Sequence, residues 1–399
     1  MPKYLLTLIL TTIIALPSQA QKTIESHMMG HSLIDHASDT YQTKIAYWID
    51  QLADEANHNY EMTGQFGSIW NFAEFNPESN WGVVGVDRSW DGETENFADV
   101  SLNNFIFTVF NFVQDLAPDE VYFGESSSVL SASERLIDSV DLYHPEVTQY
   151  IYENWPDMAP FTGEPFDPSS SDFTAYNAFT LGDFHDWWID LQDQLLASDP
   201  AENVRMIPVG PMIAELLSVA PYNTIPVLDL YEDNAPHGRE SIYFLAGLAT
   251  YMAIYEEQAP STYDVPNTVH ATLQNNYEEI VSFFWEYLIS FNDSDGNSRV
   301  FTNMTSDISD ADEMIQLSAF PNPVVDILNL DFTLEYQSDI NIEILDELGR
   351  LSGAKYFGKL LEGKQNILLD FSNFKNGLYL VQIKKSENTL AVFMVVKGN

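Results

Sequence analysis

The chain contains no cysteine. That absence excludes disulfide cross-links, thiolate nucleophiles and cysteine-ligated metals, and leaves buried apolar surface to hold the fold together. Basic residues are nearly as scarce, with 16 Lys and Arg against 60 Asp and Glu and a formal net charge of −44. A surface of that sign repels nucleic acid and anionic membranes, so neither is expected as a partner. It suits a neutral substrate, or saline surroundings in which screening relieves self-repulsion. Repeats of fixed period are absent too. No apolar run reaches the ~20 residues that cross a bilayer, so the mature chain is expected to have no transmembrane segment.

At 399 residues the chain is long enough for two domains. The first twenty residues read as a removable signal peptide: Lys3 gives a positive start, Tyr4 to Leu16 an apolar run, and Ser18-Gln19-Ala20 a small-residue cleavage site. The acidity is uneven. Residues 21–318 hold 7 Lys and Arg against 50 Asp and Glu, whereas residues 319–399 hold 8 against 10. The change falls just after Phe291 to Asp312, a stretch rich in Asn, Asp, Ser and Gly that offers little to bury. The expected organisation is a signal peptide at 1–20, a large domain at 21–292, a linker at 293–317 and a small domain at 318–399.

Helical spacing appears at Thr43–Ala53, Asn103–Ala117, Asp183–Leu196, Met212–Leu217, Ser241–Tyr255 and Asn275–Phe291. Short strands are expected up to Met28-Met29, at Glu120–Phe123 and at Asn203–Val209. The alternation predicts an α/β domain whose mostly parallel sheet is covered on both faces, with ligands beyond the carboxyl ends of the strands. Downstream, alternating segments at Ile327–Leu334, Ile340–Leu345, Asn366–Phe371, Gly377–Lys384 and Thr389–Val396 predict a small all-β sandwich, with a turn at Asp346–Arg350.

Two strings in the large domain carry chemistry. Gly30-His31-Ser32-Leu33 follows the first strand, and a Ser at a strand-to-helix turn has an exposed hydroxyl near a helix's positive end. The plain alternative is that Ser32 caps the next helix. Far downstream, Glu232-Asp233-Asn234-Ala235-Pro236-His237-Gly238 precedes an apolar run. A hydroxyl needs a base to become a nucleophile, and the base needs an acceptor on its other nitrogen. His237 is the candidate base and Asp233 the candidate acceptor, with Glu232 as rival; the plain alternative is a polar loop starting a helix. His27, His31 and His36, with Asp35, match no metal-site spacing, so supporting or surface roles are expected of them and no metal or other cofactor is called for. His185 with Trp187-Trp188 reads as core or cleft wall.

The early Gly-x-Ser-Leu, the late acid-then-His element and the α/β alternation between them resemble the SGNH, or GDSL-type, hydrolases. The resemblance covers about residues 24–260. It implies a three-layer α/β/α fold with Ser32 as nucleophile, His237 as general base and acid, and Asp233 as the orienting carboxylate. It also implies an oxyanion hole from the nucleophile's backbone N–H, a second-block Gly and a third-block Asn. Gly64, in Thr63-Gly64-Gln65-Phe66-Gly67, corresponds to the Gly, and Asn154, in Tyr152-Glu153-Asn154-Trp155, to the Asn. The chain departs from the pattern in three ways: His31 replaces the usual acid before the Ser, no Gly-x-Asn-Asp string exists, and Asn234 stands where the acid usually does, three residues before the His. The implied activity is that of a secreted serine esterase acting on small acyl esters, acetyl first, on a small molecule or glycan. A noncatalytic carbohydrate-binding or cell-surface protein on the same fold is the alternative, and a metal-dependent hydrolase built on the three early histidines a third.

In the small domain, Phe320-Pro321-Asn322-Pro323-Val324, Ile344-Leu345-Asp346-Glu347-Leu348-Gly349-Arg350 and Phe374-Lys375-Asn376-Gly377-Leu378-Tyr379 together resemble the C-terminal sorting domain of type IX secretion substrates in the Bacteroidetes. That resemblance implies the type IX machinery as a partner. It also implies release from, or attachment to, the surface of a Gram-negative bacterium.

Overall fold

The computed structural model describes residues 21–38, 42–198, 203–302, 314–320, 324–334, 338–346, 350–361, 363–385 and 388–398. The signal segment, the Pro321-Asn322-Pro323 turn and residues 347–349 lie outside the described residues. The chain forms two compact units, Met1–Thr302 and Asn303–Asn399.

In the first unit, β1 (Thr23–Gly30), β2 (Asn59–Phe66), β3 (Asn104–Phe107), β4 (Thr148–Tyr152) and β5 (Val204–Ile207) form one parallel sheet in the order β2-β1-β3-β4-β5. Successive side chains of a strand point to opposite faces. Met28, Ile106, Tyr150 and Ile207 accordingly enter one core, and Met29, Phe105, Phe107 and Ile151 the other. Helices Ile45–Glu55, Val209–Ser218, Glu240–Tyr255 and Tyr277–Ser290 contribute to the first core, and Val129–Tyr143 and Asp183–Ser198 to the second. The result is a three-layer α/β/α unit. Helix Glu240–Tyr255 is buried along its whole length. A Cβ at its Gly247 would stand 2.4 Å from Trp48 Cβ, so only glycine lets helix Ile45–Glu55 pack this closely.

One expected helix is absent. Asn103–Ala117 forms β3 and a loop instead, because a strand buried on both faces is a near-continuous apolar run whose period carries no strand signature. Glu120–Phe123 contributes a single bridge, Val121 to Ser128, rather than a strand. The start of the expected linker belongs to the first unit: Arg299 Nη1 donates to Gln192 Oε1 at 2.8 Å and to Asp193 Oδ1 at 2.7 Å, and Val300 and Phe301 are buried.

The second unit is a sandwich of two antiparallel sheets. One holds β6 (Met314–Phe320), β7 (Ile327–Leu334) and β10 (Gly363–Asp370). The other holds β8 (Ser338–Asp346), β9 (Leu351–Leu360), β11 (Gly377–Lys385) and β12 (Asn388–Lys397). Leu328, Leu330, Ile342 and Val381 lie in its core.

His27, weighed as a supporting or surface residue, is buried in the second core among Trp90, Phe97 and Phe105, with Nδ1 3.1 Å from Thr63 Oγ1. Burial, helped by nearby His144, lowers its pKa to about 3. The unfolded chain therefore takes up a proton near pH 6.5 that the folded chain refuses. Stability linked to His27 is complete above that pH and is lost as pH falls toward 3. At pH 5 the loss is about 2 kcal/mol. His27→Gln is expected to raise Tm at pH 5 relative to Tm at pH 7, compared with wild type; an unchanged pH dependence would refute the assignment.

Candidate active site

β1 ends at Gly30, and the chain turns at once, with Ile34 N–H and Asp35 N–H both donating to His31 O, at 2.9 and 3.2 Å. Ser32 sits in this single turn. The expected helix begins only at Ile45, so Ser32 is not at a helix N-terminus. Its backbone N–H has no acceptor among the described residues. Its carbonyl accepts the Tyr243 hydroxyl at 2.6 Å, which ties the turn to helix Glu240–Tyr255.

The segment before that helix carries the other two residues, and it is held on several sides. Glu232 N–H donates to His237 O at 2.9 Å, Trp155 Nε1 to Pro236 O at 2.9 Å, and Met158 N–H to Asn234 O at 3.0 Å. Within it, His237 Nδ1 lies 2.7 Å from Asp233 Oδ2, and His237 Nε2 lies 3.0 Å from Ser32 Oγ. Residues 205 positions apart in sequence thus meet in one hydrogen-bonded row. Asp233 Oδ1 is occupied separately, accepting the backbone N–H of His237 at 2.9 Å and of Ala235 at 3.1 Å. Partial burial pushes the Asp233 carboxyl up, but the His237 ring and these two N–H groups outweigh it and hold the carboxyl below the usual range. Glu232 points elsewhere: its Oε1 lies 2.6 Å from His36 Nε2.

Gly64 and Asn154 are not brought to this row. Gly64 lies inside β2, opposite Met28, and its N–H donates to Trp81 O at 2.9 Å. A Cβ there would stand 2.4 Å from Met28 O, so the glycine serves close strand packing. Asn154 is fully buried, and its Nδ2 donates to Val109 O at 2.7 Å and to Thr108 Oγ1 at 2.9 Å, which uses both amide protons. Asn154 therefore fastens the loop after β3 from beneath and has nothing left to offer an oxyanion.

That loop also holds Asn111. Thr108 to Asn111 continue from the carboxyl end of β3, the strand next to β1. His31 Nε2 reaches Val109 O at 3.0 Å, so the residue beside Ser32 is bonded to this loop. Asn111 is mostly buried, and its side-chain amide makes no hydrogen bond among the described residues. An Asn soon after a strand of the sheet was the available signal, hidden by reading the segment as helix. His31 itself is held neutral, its pKa lowered to about 4 by burial, with the Val109 carbonyl opposing and His237 adding to the shift.

His185 is paired with the buried Glu153, its Nδ1 2.8 and 3.0 Å from the two carboxylate oxygens, while Trp188 is core. Among the described residues no group of three or more His, Cys, Asp or Glu is placed to hold a metal ion, and no helix is long and apolar enough to cross a membrane.

Residues 318–397 match the family model of the secretion system C-terminal sorting domain. The second unit is therefore a sorting domain, which marks the chain for type IX export to the cell surface or beyond. No curated protein matches the chain. Among solved structures, the family 3 carbohydrate esterase of Clostridium thermocellum is similar at 13% identity over 57% of this chain and 94% of its own, with a TM-score of 0.33. A protein of Parabacteroides merdae described as a GDSL-like lipase is similar at 10% identity over 60% of this chain and 98% of its own, also with a TM-score of 0.33. An immunoglobulin-like protein of Pseudomonas aeruginosa is similar at 9% identity over 21% of this chain and 91% of its own, with a TM-score of 0.17.

Proposed function

We propose that the first unit is a serine esterase that removes small acyl groups, acetyl first, from a neutral glycan or small-molecule ester. The observation that carries this reading is the row Ser32 Oγ, His237 Nε2, His237 Nδ1, Asp233 Oδ2, with links of 3.0 and 2.7 Å. The hydroxyl, base and acceptor are in the order that acyl transfer requires.

In the forward step Ser32 Oγ bonds to the ester carbon while its proton passes to His237 Nε2. The carbonyl oxygen becomes an oxyanion, and His237 then gives the proton to the departing alcohol as the C–O bond breaks. Water repeats the sequence on the acyl-Ser32, with His237 as base, and releases the carboxylic acid. Asp233 keeps a proton on Nδ1 throughout, leaving the Nε2 lone pair toward Ser32. For the oxyanion, the Ser32 backbone N–H is one donor, and we assign the Asn111 amide as the second in place of Asn154. A domain with 50 acidic residues against 7 basic ones between 21 and 318 favours an uncharged substrate.

The direct test is release of acetate from acetylated polysaccharide and of the chromophore from acetyl, butyryl and octanoyl esters, with an acetyl-bearing Ser32 peptide trapped by acid quench. Preference for octanoyl over acetyl would reject the small-acyl part, and absence of any turnover the whole. Asn111→Ala is expected to lower kcat by roughly 100- to 1,000-fold with the fold intact, the usual effect of losing one oxyanion donor. Asn154→Ala should instead lower Tm. The opposite pattern would return the donor role to Asn154.

A further inference from the structure

A second imidazole lies on His237. The His36 ring stacks on it with centroids 4.0 Å apart and planes 15° from parallel, and His36 Nε2 is 2.6 Å from Glu232 Oε1. The site thus holds two imidazole–carboxylate pairs face to face, and only one of them reaches Ser32. Nothing in acyl transfer by a Ser-His-Asp row calls for the other.

The second pair is built in rather than draped over. His36 N–H donates to Thr43 O at 3.0 Å, and Thr43 Oγ1 donates to His36 O at 2.6 Å. Glu232 is fixed through its own N–H to the His237 carbonyl. The His36–Glu232 pair therefore joins the segment after β1 to the segment before helix Glu240–Tyr255, as the His237–Ser32 hydrogen bond also does, and the two rings meet between them.

His237 turns cationic when it takes the Ser32 proton. A neutral aromatic face in contact with that ring attracts the new charge, whereas a second cation would oppose it. His36 lays its aromatic face on the His237 ring, and the Glu232 carboxylate bonded to its Nε2 supplies negative charge on the far side. We infer that His36, held by Glu232, is a positioning residue for His237: its ring fixes the plane of the imidazole and stabilises the imidazolium formed as Ser32 adds to the carbonyl. This rests on the esterase reading of Ser32.

The test compares His36→Leu with His36→Phe on a chromogenic acetyl ester. Both fill the space and both leave Glu232 without its partner, but only Phe keeps a flat aromatic face. The Leu variant is expected to lose about tenfold in kcat with KM unchanged, and the Phe variant to stay within about threefold of wild type. Covalent labelling of Ser32 by a fluorophosphonate should follow the same order. Equal rates for Leu and Phe, or a loss carried by KM, overturn the inference. Ser32→Ala run alongside separates the two claims. If that variant is dead while Leu and Phe agree, only the role of His36 falls; if it turns over like wild type, the esterase reading falls and takes His36 with it.

Discussion

Ser32→Ala is expected to abolish ester hydrolysis, lowering kcat by on the order of 10⁴- to 10⁶-fold, while the protein still folds. The hydroxyl is the only atom removed, and its one hydrogen bond among the described residues runs to His237. The Ser32 carbonyl, which holds the turn to Tyr243, is untouched. Tm should therefore move little, and the circular dichroism spectrum should not change. His237→Ala should be about as damaging, and the double variant scarcely worse than either single one, because a nucleophile and its base act as a unit. Losses that multiplied would show that the two residues work independently. Wild-type turnover by Ser32→Ala would show that the row is an ordinary polar contact.

The members of this row, Ser32, His237 and Asp233, were legible because their signals are local. Gly30-His31-Ser32 after an apolar strand, and a polar string with one His before an apolar helix, each stand out alone; their meeting rests on the sheet that lies between them. What escaped notice did so for a physical reason. Phe105, Ile106 and Phe107 are buried on both faces, so β3 lacks the alternation that marks a half-exposed strand, and the apolar run through Phe112 reads equally well as helix. A helix running through Asn103–Ala117 leaves no loop after β3, and so no loop position for Asn111. Gly64 was misplaced for a related reason. A glycine in a polar string suggests a loop, yet here the crowding comes from the Met28 carbonyl on the neighbouring strand, a contact that no local pattern encodes. The rivalry between Glu232 and Asp233 was equally invisible, because it is decided by His36, which lies 196 positions from Glu232 in sequence.

That rivalry gives the second large expected effect. Asp233→Asn should lower kcat by roughly 10⁴-fold, the scale seen when the orienting carboxylate of such a row becomes an amide. The reason lies in how the two oxygens are used. Oδ1 accepts two backbone N–H groups, from Ala235 and His237, and an amide oxygen must take over that position. The NH₂ group is then forced to face His237 Nδ1, where it donates. A neutral His237 accepting at Nδ1 carries its proton on Nε2, the nitrogen that should receive the proton of Ser32. The base is blocked without being displaced, so KM and Tm should change little while kcat collapses. Glu232→Gln alters only the pair behind His36 and leaves its aromatic face in place, so its cost should stay within about threefold. Were Glu232→Gln the more damaging of the two, Asp233 would be a loop-forming residue and the carboxylate serving His237 would have to be sought in Glu232, acting through the stacked ring.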